Sequence, residues 1–260
     1  MSELIKITEA VYRLTIPFFD VYTTVFLIKT PQGAALYDTA TYPEDVDQYI
    51  IPALKKLKIS PEILKYIVIS HNHRDHSGGL ERLMEEYPGT CVVACSKALQ
   101  EKYSNYRFLA PDNGTILLDT FRVLNIPGHS ADCIGLLEES TGTLLSGDCL
   151  QMYGLFGSGK WGTNISMPLE HLDAIDRLRA LQLKMVVASH AYHPHGYIAR
   201  GDEKIGQFLD TCVEALYVIK QKIQENPECT DETLAEKYNS SGEFPTVGAH
   251  VFAAIRKYMC

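Results

Sequence analysis

The chain has 260 residues, a formal net charge of −8, 46% apolar residues and 22% charged residues. These are ordinary values for a globular protein, and the length admits one large domain or two small ones with a substantial core. No apolar run approaches the roughly 18 residues that a membrane-spanning helix requires, and the acidic balance weakly disfavours generic nucleic-acid binding, which depends on neutralising phosphates. The stretch 1–10 carries acidic residues in place of the basic start and apolar core of a signal peptide, so a cytoplasmic location is expected. The seven cysteines are scattered without CxxC spacing, which predicts reduced thiols acting as small hydrophobes, Cys133 and Cys149 included.

In chain order, alternating apolar and β-branched residues predict strands over 11–16, 24–29 and 34–37, with Pro31-Gln32-Gly33 turning the chain between the second and third. Val46, Tyr49, Ile50, Leu54 and Leu57 recur at helical spacing and predict a helix over 44–57, kinked at Pro52. A short apolar run predicts a buried strand over 66–69, followed by a helix over 80–87, a strand over 91–94 and a helix over 97–103. Three further strands are expected over 121–126, 134–138 and 143–145. An amphipathic helix over 168–181 would bury Leu169, Leu172, Ile175, Leu178 and Leu181 and leave His171 on its solvated face. A strand over 185–188 precedes helices over 202–223, 231–237 and 247–258. The chain is therefore mixed α and β for about 190 residues and then almost wholly helical.

The strand over 66–69 ends in His71-Asn72-His73-Arg74-Asp75-His76, followed by Ser77-Gly78-Gly79. Three imidazoles and a carboxylate within six residues, at the end of a buried strand, are a costly arrangement for a soluble fold unless they serve a metal. Other strand ends repeat the pattern: Asp38 follows the strand over 34–37, His129 that over 121–126, Asp148 that over 143–145 and His190 that over 185–188. Polar groups placed one to three residues beyond successive apolar runs can converge on one edge of a sheet. Taken alone, His129 or His190 reads as an ordinary histidine and Asp148 as a turn residue; the series is what points to ligation. His250 has no neighbour at metal spacing.

The HxHxDH motif followed in order by a single His, Asp and His resembles the metallo-β-lactamase superfamily, over roughly residues 10–200. The resemblance implies an α/β fold, the four-layer αββα sandwich, over 1–200, with a helical C-terminal extension over 201–260 packed on the same domain. Carried over by motif position, it implies that His71, His73 and His129 bind one divalent metal ion and that Asp75, His76 and His190 bind a second. Asp148 would bridge both, and Asp38 would orient ligands without touching metal. Zinc is the expected ion, with iron or manganese also compatible with His and Asp donors. A histidine at position 73, where the flavodiiron branch has Glu, favours hydrolysis over oxygen reduction.

These expectations lead to a dinuclear metallohydrolase similar to the glyoxalase II and lactonase-like members, acting on a small ester, lactone or thioester, with Asp75 and Asp148 as the catalytic carboxylates. Two competing readings share the motif: a phosphodiesterase or endoribonuclease, and a mononuclear iron enzyme of the persulfide-dioxygenase kind. Substrate contacts are expected from loops. Phe18 and Tyr22 lie in the first, while Tyr153 and Trp161 lie in the glycine-rich segment 151–164, which reads equally as a mobile lid or a plain linker. Tyr192, His193 and Tyr197 follow His190; Tyr153, Tyr192 and Tyr197 are candidate donors to a developing oxyanion, and His195 is an equal candidate for an exposed loop. A small-molecule partner is expected, no membrane partner is, nucleic acid is disfavoured, and a homodimer is compatible with the sequence.

Overall fold

The computed structural model describes residues 3–260; the first two residues of the amino-terminal stretch lie outside it. The strands are β1 (Leu4–Lys6), β2 (Val11–Phe18), β3 (Val21–Thr30), β4 (Gly33–Tyr37), β5 (Leu64–Val68), β6 (Cys91–Val93), β7 (Phe108–Leu109), β8 (Ile116–Leu117), β9 (Phe121–Asn125), β10 (Ile134–Glu138), β11 (Thr143–Gly147), β12 (Met185–Tyr192) and β13 (Gly196–Arg200). The helices are α1 (Pro43–Asp45), α2 (Ile51–Lys56), α3 (Arg74–Ser77), α4 (Leu80–Glu86), α5 (Lys97–Lys102), α6 (Pro168–Arg179), α7 (Asp202–Glu225), α8 (Asp231–Asn239) and α9 (Ala249–Met259). The strands form two sheets, one in the order β1 to β7 and one in the order β13-β12-β11-β10-β9-β8.

Of the described residues, the first compact unit comprises 3–124 with Leu136–Thr141, and the second Asn125–Gly135 with Gly142–Cys260. Within the second unit α7 packs on β13 and α6. In the first unit β1 to β4 are antiparallel neighbours, whereas β4, β5, β6 and β7 run parallel. Leu36, Ile67 and Val92 sit in a core shared with Ile50, Leu54 and Leu83 from the covering helices. In the second unit β11 and β12 are parallel, with Leu145 opposite Val187. Its helical core gathers Leu216, Ile219 and Ile223 of α7 with Leu234 of α8 and Val251, Phe252 and Ile255 of α9.

Several expectations change in detail. The kink expected at Pro52 is instead a π-helical turn, Val46–Ile50, in which the Ile51 amide reaches back to the Val46 carbonyl. Proline has no N–H for the regular ladder, and the widened turn just before it relieves the clash of its ring with the preceding carbonyl. His171, expected on the solvated face of α6, is buried, and Leu169, expected in the core, is half exposed. The helix is rotated because His171 closes over Gly128, whose hypothetical Cβ would lie 2.7 Å from the His171 ring. The strand expected over 185–188 continues to Tyr192, so His190 lies inside β12. Strands β1, β7, β8 and β13 are not predicted from the sequence. All seven cysteines are free thiols, four of them buried.

Candidate metal centre

Parallel pairing places the first group of candidate ligands. β4 and β5 run side by side with Tyr37 opposite Val68, so the residues that follow them emerge at the same sheet edge. The Asp38 amide bonds to the Val68 carbonyl at 2.8 Å, continuing the ladder one step past the strand. Asp38 is fully buried. Its carboxylate accepts from the Ser70 amide at 2.7 Å, from Ser70 Oγ at 2.9 Å and from His76 Nδ1 at 2.8 Å. Burial pushes the Asp38 carboxyl up, while His76 and these hydrogen bonds pull it back. Ser70 Oγ also lies 3.0 Å from His71 Nδ1.

The motif turns tightly. Asp38 and Ala40 adopt left-handed backbone at φ 70° and 61°, which carries the loop 38–41 under the ligands. There the Thr39 amide and hydroxyl both donate to the His76 carbonyl, at 2.7 and 3.0 Å, and the Gly78 amide donates to the Ala40 carbonyl at 3.0 Å. The glycines after the motif are needed for this approach: a Cβ at Gly78 would lie 2.0 Å from the Thr41 carbonyl oxygen. The rings of His71 and His73 sit 4.5 Å apart between centroids, those of His71 and His76 4.3 Å, and His76 Nε2 lies 3.1 Å from Asp75 Oδ2.

A second group of candidate ligands belongs to the other unit. β11 and β12 run parallel with Gly147 opposite Ala188, so Asp148, one residue past β11, and His190, inside β12 two residues past Ala188, lie toward the same end of the sheet. His190 Nε2 is 3.4 Å from Asp148 Oδ1, and His129 Nε2 is 3.9 Å from Asp148 Oδ2. His129 Nδ1 meets the Asn164 carbonyl at 2.7 Å. A carbonyl can only accept, so the proton sits on Nδ1 and the Nε2 lone pair faces Asp148. The same logic holds for His76 Nδ1 against Asp38. Imidazoles held in this tautomer by a carboxylate or carbonyl behind them are what a divalent ion asks of its ligands. The donor set therefore fits a metal.

The sequence reading did not find Ser70, Gln151 and Asn164. Gln151 is buried; its Nε2 donates to the Asp148 carbonyl at 2.9 Å and to Tyr192 Oη at 3.2 Å, and its Oε1 accepts from the Asn164 amide at 3.0 Å. It thus ties the backbone of one ligand to the residue that anchors another. Ser70 could have been suspected from its position beside His71. Nothing periodic joins Gln151 to Asn164.

The chain matches the family profile of the metallo-beta-lactamase superfamily over residues 19–93. A metallo-beta-lactamase family protein from Thermus thermophilus superposes with a TM-score of 0.66, covering 96% of this chain and 94% of that one at 20% identity. Over residues 19–93 the chain is similar to the metallo-beta-lactamase superfamily, and its fold is that of its structural neighbours. Its two sheets, covering helices and C-terminal helices are elements shared with the fold of these neighbours. A metallo-beta-lactamase from Pontibacter korlensis gives a TM-score of 0.63 over 82% of this chain and 99% of that one, at 23% identity. Among sequences, a "Beta-lactamase-like protein 2 homolog" of Caenorhabditis elegans is 28% identical over 235 residues, 86% of this chain and 75% of the relative. A "Hydroxyacylglutathione hydrolase" of Pseudomonas putida is 34% identical over 148 residues, which span 54% of this chain and 53% of that protein.

The expected substrate contacts fare unevenly. Phe18 and Tyr22 are half-buried around the β2–β3 turn, with the Arg13 guanidinium 4.9 Å from the Tyr22 ring centroid. Tyr153 is turned into the helical core of the second unit: its ring stacks on Phe244 at 4.2 Å and its hydroxyl is engaged by Glu214. That packing removes it from the candidate oxyanion donors. Tyr192 is buried with its hydroxyl against Gln151, while Tyr197 and His193 are half-buried, His193 with its ring 3.8 Å from Phe156. His195 is held by Thr211 of α7 at 2.8 Å.

The segment 151–164 is pinned. The Leu155 amide bonds to the Trp161 carbonyl at 2.7 Å, the Phe156 amide to the Ala191 carbonyl at 2.9 Å and the Gly162 amide to the Thr246 carbonyl at 3.0 Å. It is a braced loop that presents Phe156 and Trp161, 42% and 38% exposed, at its surface.

His171 gives a pH signature. Burial, with a smaller contribution from His129, brings its pKa down from 6.5 to about 4, and its Nε2 has no hydrogen-bond partner among the described residues. The folded chain therefore keeps His171 neutral while the unfolded chain protonates near pH 6.5. The resulting stability is present above pH 6.5 and is lost as the pH falls from 6.5 toward 4, by roughly 3 kcal/mol at most. Denaturant titrations of the metal-stripped chain across that window check this. His171→Gln is expected to flatten the acid limb, and an equal slope in both proteins would contradict the assignment.

Proposed function

We propose that this protein is a metal-dependent hydrolase of a small thioester, ester or lactone, with thioesters favoured. In this reading, carried by the motif, His71, His73 and His129 would hold one ion and Asp75, His76 and His190 the second, with Asp148 serving both. The observation that carries it is the tautomeric locking of His76 by Asp38 and of His129 by the Asn164 carbonyl, which dedicates each Nε2 to a ligand. The likeness to hydroxyacylglutathione hydrolase over about half of that protein favours a thioester over other acyl substrates.

When bound, a pair of divalent ions lowers the pKa of water toward neutrality and polarises an acyl carbonyl. The chain supplies the rest. Asp38 and Ser70 hold the rings of His76 and His71 in place, and Asn164 and Gln151 do the same for His129 and the Asp148 backbone. The Asp75 carboxylate, 12% exposed beside His76, orients the attacking water and accepts its proton. Half-buried Phe18 and Tyr22 and exposed Trp161 contribute contact surface for the acyl or leaving group, with His193, Tyr197 and Tyr192 beyond His190 in the chain.

Element analysis of the purified protein, followed by an activity panel, tests the reading. Two divalent ions per chain, zinc foremost with iron or manganese in its place, and turnover of a thioester are the expected results. One iron per chain, or cleavage of RNA with no acyl turnover, would replace the reading with one of its two competitors.

A further inference from the structure

The outward-facing residues of the ligand loop border a cavity that the chemistry above does not use. It measures about 350 Å³ and is lined by Thr41, Asn72, Arg74 and Ser77 from the ligand loop and its support, and by Lys102 and Tyr103 around the end of α5. That volume lies within the range of small-molecule sites. No carboxylate lines it, although the chain as a whole carries a net charge of −8.

Its two cations rest on aromatic rings, as Arg13, Lys220 and Lys257 do elsewhere in the chain. Arg82, Arg122, Arg177, Arg179 and Arg256 each pair with a carboxylate at 3.0 Å or less. Arg74 instead lies over the Tyr42 ring, 4.7 Å from its centroid, and Lys102 lies over Tyr103 at 4.5 Å. Aromatic faces position a cation without neutralising it. A third feature is independent of charge. Thr41 is only 2% exposed, lines the cavity, and its hydroxyl has no hydrogen-bond partner among the described residues. A buried hydroxyl left unsatisfied costs about 1–3 kcal/mol, which an entering acceptor would recover.

We propose that this cavity is an anion subsite, in which Arg74, Lys102 and the Thr41 hydroxyl receive the carboxylate or phosphate end of a small-molecule substrate. The proposal rests on the hydrolase reading for the word substrate and narrows it to anionic acyl compounds. Arg74 offers the planar fork that suits a two-oxygen anion, and Lys102 adds a point charge from a separate element. The Leu99 and Tyr103 side chains give the anion's carbon stem an apolar wall. Arg74 stands between His73 and Asp75 in the chain, so an anion held there lies one residue from the ligands. Arg74 and Lys102 are thus specificity-determining residues rather than catalytic ones.

Calorimetric titration of the metal-loaded chain with succinate and with inorganic phosphate tests the subsite directly. At least one anion is expected to bind, with affinity falling tenfold or more in Lys102→Ala and again in Arg74→Ala; which of the two binds identifies the headgroup. Binding of neither anion, or binding that survives both substitutions because the ions hold it, would overturn the proposal. A kinetic arm compares an acyl thioester bearing a free carboxylate with its methyl ester. Lys102→Ala is expected to reduce the preference for the carboxylate at least tenfold, through KM rather than kcat, and an unchanged preference would refute the substrate assignment. Absence of any acyl turnover alongside Lys102-dependent anion binding would defeat the hydrolase reading and leave the subsite standing.

Discussion

Gly78→Ala is expected to destabilise the protein by at least about 3 kcal/mol, at the upper end of overpacking costs or beyond. The added methyl would sit 2.0 Å from the Thr41 carbonyl oxygen and 2.6 Å from that of Arg74. Both neighbours are backbone, so no flexible side chain can swing away. Relief requires the loop 38–41 to separate from α3, which strains residues already at positive φ and breaks the Gly78–Ala40 and Thr39–His76 hydrogen bonds. For a chain of this size the melting temperature should drop by about 6–12 °C. Gly89→Ala is the control, because a Cβ there meets nothing within 4 Å; a shift of under about 2 °C is expected. Scanning calorimetry of both variants decides the matter, and equal melting temperatures would show that the loop yields. Displacing Asp38 with the loop should also lower metal content, since Asp38 anchors His76.

Asp148→Ala is expected to lower activity by at least about 10³-fold, equivalent to roughly 4 kcal/mol of transition-state stabilisation, and to reduce bound metal below the wild-type stoichiometry. The Asp148 carboxylate stands between two imidazoles, 3.4 Å from His190 and 3.9 Å from His129, and in the proposed centre it is the one ligand shared by both ions. The fold should survive. The Gln151 hydrogen bond goes to the Asp148 backbone carbonyl, not to its side chain, and His129 keeps its Asn164 anchor. Circular dichroism, element analysis and acyl turnover together separate the outcomes. Wild-type metal content with wild-type activity would remove Asp148 from the centre. Asp148→Asn, which keeps the shape but not the charge, should resemble the alanine variant if charge is what the ions require.

These two expectations draw on different parts of the molecule, and only one was open to inspection before folding. Asp148 was legible because it repeats a pattern, a polar group just past an apolar strand, already set by His71–His76 and repeated at His129 and His190. The clash at Gly78 was not: Ser77-Gly78-Gly79 looks like an unremarkable helix entry until Thr41, far earlier in the chain, is found against it. His171 shows the opposite error. Its place among polar neighbours suggested solvent, yet the buried face of a helix is chosen by what lies opposite, here the bare backbone of Gly128. Tyr153 likewise offered a plausible phenol, but its ring had a partner in Phe244, far along the chain.

What the chain determined by itself was the donor inventory and the positions from which it is delivered. Strand periodicity and ligand chemistry are local properties, readable over a handful of neighbouring residues. Which ring nitrogen faces a ligand, which loop is braced, and which cations rest on an aromatic face were decided only by tertiary structure. Each depends on an atom contributed from a distant segment: the Asn164 carbonyl behind His129, the Asp38 carboxylate behind His76, and the Tyr42 ring in place of an acid beneath Arg74.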